Sequence, residues 1–186
     1  MNFNEHWNLE GRHSFLSPSQ YHWVNYTTDK LIERYFNAEA VKRGTALHEY
    51  ASMAIKLERK QPRNKDTVNM FVNDALGYMM VSEQPLYYSE NCFGTADAIS
   101  FDKNVLRIHD LKTGVTEASM LQLEVYAAIF CLEYEVDPKD ITIELRIYQR
   151  NEKRIEIADH EDIREIMRKI VEFDKTIESV KRGSLQ

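Results

Sequence analysis

Asp97, Asp110 and Lys112 stand in a stretch whose spacing can bring two carboxylates and an amine together. Lys103 and Asn104 interrupt an otherwise strand-like run from Phe93 to Lys112, and Asn tolerates the positive φ of a two-residue hairpin turn. That turn sets Phe101 opposite Leu106, Ile99 opposite Ile108 and Asp97 opposite Asp110 on one face. Ser100 opposite Arg107 and Ala98 opposite His109 then occupy the other face, so His109 is not counted as a ligand. The four large apolar residues share a face, and a one-residue slip would scatter them. In this register Asp97 and Asp110 form a non-hydrogen-bonded pair with Cα atoms ~4.5 Å apart. Lys112, two residues further on, projects from the same face. Two carboxylates so close repel each other, and Mg²⁺ or Mn²⁺, which take oxygen ligands, would relieve the repulsion. Lys112 could then position or deprotonate a water, or neutralise charge on a phosphoryl oxygen. The same residues also fit strand-end acids splayed into solvent beside a lysine, because D-x-K is common by chance.

The elements that must hold these side chains follow from pattern. Ser17 and Pro18 read as N-cap and first helical position, predicting a helix over 17–37. A second helix is expected over 45–60, with Leu47, Ala51, Ala54 and Ile55 on one stripe, and a third over 66–80, barred from continuing by Pro85. Short extended segments follow at 86–89, 93–101 and 105–112. An apolar helix is expected over 117–135, then alternating Ile141, Ile143, Leu145 and Ile147 as a half-buried strand, and another strand at 154–157. Residues 161–181 read as an amphipathic closing helix. The order ααα-βββ-α-ββ-α predicts a mixed α/β or α+β arrangement with antiparallel pairs in its first half.

The chain has 186 residues and a formal net charge of −6. That length suits one continuous domain, with no repeat, low-complexity tract or long linker. Two cysteines, Cys92 and Cys131, exclude a disulfide framework, a zinc cluster and a four-cysteine iron–sulfur cluster. The longest apolar run, 126–132, is far short of the ~18–20 residues that span a bilayer. Residues 1–5 lack the basic and apolar regions of a signal peptide, so a cytoplasmic location is the expectation. Acidity would argue against a nucleic-acid partner, but the charges are segregated. Residues 41–65 sum to +5 and residues 66–145 to −10, a basic stretch beside an acidic middle.

Four short patterns occur in order. Gly44 and His48 form G-x-x-x-H, Gly94 and Asp97 form G-x-x-D, residues 110–114 form D-x-K-T-G, and Gln122 and Tyr126 form Q-x-x-x-Y. Together they resemble the PD-(D/E)XK nuclease superfamily in its RecB-like branch, which includes CRISPR-associated and phage-encoded exonucleases. Ser17 and Ser19 are similar to the S-x-S leader of these proteins. The matches run from about residue 16 to 126, and the order of elements extends the agreement to about 149.

The resemblance implies a restriction-endonuclease-like core. In it a mixed sheet of about five strands lies under an N-terminal helical cover (1–82), and the core sheet and Q-x-x-x-Y helix fill 83–149. The last strand and C-terminal helix occupy 150–186. It implies a metal-dependent DNA nuclease, more an exonuclease than a sequence-specific endonuclease, acting with Mg²⁺ or Mn²⁺ and without an iron–sulfur cluster. His48, Asp97, Asp110 and the carbonyl of Leu111 would be the metal ligands, with Lys112 orienting the attacking water. Gln122 and Tyr126 would hold the DNA or the lysine, and Glu83 is a candidate additional acid. Lys56, Arg59, Lys60, Arg63 and Lys65 form the best DNA-binding patch, with Arg146, Arg150, Lys153 and Arg154 second. Tyr87 and Tyr88 could stack on bases. DNA is the implied partner, with a second copy or a recombination protein as others. A catalytically idle DNA-binding protein of the same fold, or an endonuclease or RNA-directed nuclease with the same centre, remains open.

Overall fold

The structure, a computed structural model, describes residues 14–183; residues 1–5, whose composition bears on a signal peptide, lie outside that range. Contacts separate two compact units, Met1–Arg43 and Gly44–Gln186, although the sequence shows no linker between them.

In the first unit the expected helix over 17–37 is helical from Thr28 onward and replaced only before it. Pro18–Asn25 is a 3₁₀ segment, within which Gln20 takes non-helical angles (φ −112°, ψ 39°), and Tyr26 is extended. Ser17 Oγ lies 2.8 Å from Ser19 Oγ, and the Trp23 indole donates to the Ser17 carbonyl at 3.0 Å. The α-helix begins afresh after Thr27, whose Oγ1 accepts from Lys30 N at 3.3 Å. It then continues as α1, Thr28–Lys56, through the expected break at 37–45. Ala38, Glu39 and Ala40 favour helix, and Gly44 opposes it most, by ~1 kcal/mol relative to Ala. Gly44 has a packing reason: a Cβ there would stand 2.7 Å from Thr113 Oγ1.

The second unit is built on a mixed five-stranded sheet. α2 (Thr67–Gly77) is capped by Asp66, which accepts from Val68 N at 3.0 Å and Asn69 N at 3.1 Å. There follow β1 (Val81–Ser89), β2 (Cys92–Asp102), β3 (Val105–Leu111), α3 (Leu121–Glu133), β4 (Thr142–Gln149), β5 (Glu152–Ile157) and α4 (His160–Gly183). The strand order is β1-β2-β3-β4-β5. β3 and β4 are parallel and the other neighbours antiparallel, so α3 lies in the crossover that a parallel pair requires. β1 starts five residues earlier than the pattern suggests and includes Pro85. An edge strand accepts a proline because its outward N–H needs no partner. None of the described helices is long and apolar enough to cross a membrane.

Lys103 (φ 50°) and Asn104 (φ 61°) make the two-residue turn, and β2 pairs with β3 as Ala98↔His109, Ile99↔Ile108, Ser100↔Arg107 and Phe101↔Leu106. This is the register that the apolar pattern dictates. The pairing stops there, one step before Asp97 and Asp110, which do not form the expected facing pair. Instead the Leu111 N–H donates to Asp97 Oδ2 at 2.8 Å. Phe101 also departs from expectation: it is 44 % exposed and leans on Phe130.

Two cores flank the sheet. Leu86, Ala96, Ile99, Leu106 and Ile108 pack with α3 and α4, whereas Ala98, Leu111 and Tyr148 pack with α1 and α2. Ala96 and Ile99 have opposite parity yet enter the same core, which strict strand alternation forbids. The phase changes between them, at Asp97. Its counterpart in the β1 register is Glu83, where φ is 52°.

The contact between Gly44 and Thr113 gives a prediction. In urea denaturation, Gly44→Ala should be more favourable in a Thr113→Ala background than in the wild type by about 0.5–3 kcal/mol, the range of contact couplings, because the background removes the obstructing hydroxyl while the helix-propensity gain is common to both. Equal effects in both backgrounds would contradict the packing account.

Candidate metal centre

α1, β1 and β2 each deliver one group to a common point. His48 Nδ1 lies 3.5 Å from Asp97 Oδ2, and the ligand atoms of His48, Glu83 and Asp97 all fall within 4.8 Å of one another. They line a pocket of about 570 Å³ whose wall also carries Glu49, Ser52 and Lys56. Glu83 reaches the site through its left-handed backbone, a conformation unfavourable for a non-glycine residue and characteristic of functional positions.

Asp110 stands behind this trio. It is 3 % exposed, and its Oδ2 is 3.0 Å from Lys112 Nζ but receives no hydrogen bond of acceptable geometry. Lys112 Nζ donates to Gln122 Oε1 at 2.7 Å. Burial, reinforced by the Asp97 charge and only partly opposed by Lys112 and His48, pushes the Asp110 carboxyl up to about 6. His48 is also raised, first by its hydrogen bond to Asp97, which outweighs burial, and then by the fields of Asp97, Asp110 and Glu83. Asp97 and Asp110 are therefore close enough to feel each other, although they are not ladder partners.

The sequence-derived ligand set was His48, Asp97, Asp110 and Leu111. The structure converges His48, Asp97 and Glu83, with Asp110 adjoining. Leu111 contributes its N–H to Asp97, and its side chain is buried in the core beside α1 and α2. Of the acids, Glu83 was the hardest to place from sequence, because the signal that turns it into the site is a backbone angle.

Each of the four sequence patterns touches another here. His48 meets Asp97, Asp97 meets Leu111, and Lys112 meets Gln122. Gly44 leaves room for Thr113, and Gly94 leaves room for Tyr126, since a Cβ at 94 would stand 2.9 Å from the Tyr126 ring. Both glycines are thus required by close approach rather than by turns.

The basic residues divide. Lys56 lines the pocket, and Arg59, Lys60, Arg63 and Lys65 are exposed after α1. The second patch is largely spent within the protein. Arg146 is buried and bound to Asp74, Glu144 and Tyr78, Lys153 is paired with Asp74, and Arg154 with Glu117. Arg150 is exposed and lines another cleft, of about 410 Å³, with Lys112, Thr113 and Gly114. Tyr87 is exposed and stacked with Phe93, and Tyr88 packs against the core. His109 is fully buried against Tyr148 and Tyr78, among the residues that pack with α1 and α2. Desolvation and the neighbouring Arg146 push it down to about 3, so it is neutral. The Asp74–Tyr148–Arg146–Tyr78 network beside it escaped sequence reasoning, because its members sit some seventy positions apart with no shared pattern.

The donor set fits a divalent cation. One imidazole and two carboxylates, whose ligand atoms all lie within 4.8 Å of one another, would suit Mn²⁺ as well as Mg²⁺. The under-satisfied Asp110 oxygen adds negative charge that Lys112 alone does not balance. No protein-family model matches the chain, and no curated protein matches it.

The raised carboxyl has a measurable consequence. A folded-state value above the ordinary 3.8 means that ionising Asp110 costs stability. Its favourable contribution is complete below about pH 4 and is lost as pH passes about 6. His48, raised above 6.5, adds stability below that pH, which is lost on further increase. In EDTA, Asp110 should therefore lower the denaturation free energy between pH 4 and 6 by the order of 2–3 kcal/mol, against an opposing rise from His109, whose depressed value adds stability as pH increases through the same window. Asp110→Asn should remove that contribution, so the stability difference between wild type and variant should shift by this amount from pH 4 to 6, and a difference that stays constant across the window would contradict the assignment.

Proposed function

We propose that the protein is a metal-dependent DNA nuclease of the PD-(D/E)XK superfamily, RecB-like branch, hydrolysing phosphodiester bonds as an exonuclease in the cytoplasm. The observation that carries this is the closed set of contacts among four sequence patterns that are separated by up to 82 positions and share no secondary-structure element. Chance occurrences of D-x-K or Q-x-x-x-Y have no reason to meet at one His–carboxylate cluster.

A divalent cation, Mg²⁺ or Mn²⁺, held by His48, Glu83 and Asp97 with Asp110 beside them, would stabilise phosphoryl charge and make a water more acidic. The chain's own groups do the rest. Lys112 has three N–H donors, of which one is committed to Gln122 and one faces Asp110. The third is available to orient a water or bind a phosphate oxygen, and the two contacts fix where it points. Asp97 is itself held by the Leu111 N–H and His48, so its position does not depend on substrate. Lys56, on the pocket wall, and the exposed Arg59, Lys60 and Arg63 supply positive charge for the DNA backbone.

Purified protein should be incubated with labelled linear and circular DNA, single- and double-stranded, in Mg²⁺, Mn²⁺ or EDTA. Linear DNA should be degraded and closed circles spared, only with metal. Asp110→Asn and Lys112→Ala should each lower the rate at least 100-fold while circular dichroism stays native. Absence of metal-dependent cleavage on every substrate would contradict the proposal, and cleavage of circles would make the enzyme an endonuclease.

A further inference from the structure

Directly behind the convergent ligands lies a contact that the proposed chemistry does not use. Ser52 Oγ and Ser82 Oγ are 3.1 Å apart, and both residues are buried. Ser82 Oγ is also 3.4 Å from the Ser52 carbonyl oxygen. Both hydroxyl protons can be used at once: Ser52 Oγ–H donates to Ser82 Oγ, and Ser82 Oγ–H donates to the Ser52 carbonyl.

Their places in the chain give the contact its meaning. Ser52 follows His48 by about one turn of α1 and shares the same pocket wall. Ser82 immediately precedes Glu83 and pairs with Ala98, the residue immediately after Asp97. One pair of hydroxyls thus links the helix that carries the imidazole to the strands that carry both carboxylates.

The surroundings are apolar: Ala51, Ala54, Ile55 and Ala98 fill this side of the sheet. Apolar packing tolerates small sliding of a helix over a strand, whereas buried hydroxyls must stay at bonding distance or lose their partners. The bond also abuts the left-handed backbone of Glu83, a conformation that persists only where neighbouring structure holds it.

We propose that Ser52 and Ser82 are positioning residues, whose hydrogen bonds set the offset of α1 from β1 and thereby the affinity of the His48–Glu83–Asp97 centre for its divalent cation. This rests on the metal-centre reading given above. It adds a role for two residues outside the ligand set.

The test is a titration of Mn²⁺ alone into the full-length protein without DNA, following the electron paramagnetic resonance signal of free Mn²⁺. The proteins are the wild type, Ser52→Ala, Ser82→Ala, Ser82→Cys, the double alanine variant and Asp97→Asn, each melted in EDTA to establish that it is folded at the titration temperature. Ser82→Ala removes both hydrogen bonds and should weaken Mn²⁺ binding about tenfold. Ser52→Ala, which leaves Ser82 its carbonyl acceptor, should weaken it less. The double variant should bind no worse than Ser82→Ala, because the two residues act through one contact. Ser82→Cys keeps most of the volume but hydrogen-bonds poorly, so it should behave as Ser82→Ala, and it carries the comparison if the alanine variant does not fold. A purely structural role would lower the melting temperature and leave the Mn²⁺ dissociation constant alone. Affinities within twofold of wild type in the folded Ser82 variants would overturn the proposal. Failure of the wild type to bind Mn²⁺, or wild-type binding by Asp97→Asn, would overturn the metal centre itself and this inference with it.

Discussion

The crowding of Asp97 and Glu83 around one imidazole, with the buried Asp110 adjoining, is the constraint on which the second unit depends. In a folded chain without compensation such a cluster would open, because carboxylates brought together and partly desolvated repel. Here each is fixed by something else. Asp97 is held by a backbone N–H and by His48, Asp110 by burial under Lys112, and Glu83 by a backbone angle that the flanking strand pairing enforces. The cluster is a preorganised demand for positive charge, and Lys112 meets only part of it.

Much of this arrangement is legible in the sequence, and the parts that are not have identifiable causes. The β2–β3 hairpin could be registered to the residue, since Lys103 and Asn104 supply the turn and four apolar side chains fix the face. Extrapolating that register to Asp97 and Asp110 fails, because alternation assumes a regular ladder and the ladder ends at Ala98 and His109. Sequence patterns carry the mean periodicity of a strand but not a local change of phase. For the same reason the sequence offers Glu83 only as a candidate additional acid, and its φ of 52° is not legible there. The helices show the opposite error. Gly44 looked like part of a break, yet its missing side chain serves a tertiary contact with Thr113, and local propensity cannot see a partner sixty-nine positions away.

Charge follows a similar logic. A net charge of −6 says little about the surface a ligand would meet. Arg146, Lys153 and Arg154 count as positive in the sum but are consumed by Asp74, Glu144 and Glu117. Lys56, in contrast, sits at the pocket itself, two helical turns from His48. The placement of a few charges, set by α1 and the phase change in β2, decides what the cleft attracts.

A divalent cation would supply the missing positive charge. Crystals grown with Mn²⁺ and measured above its absorption edge test this most directly. The expected result is a strong anomalous peak at bonding distance from His48, Glu83 and Asp97, with Asp110 turned toward it. A map with no peak there, and with the Lys112 ammonium lying among the carboxylates in its place, would contradict the account.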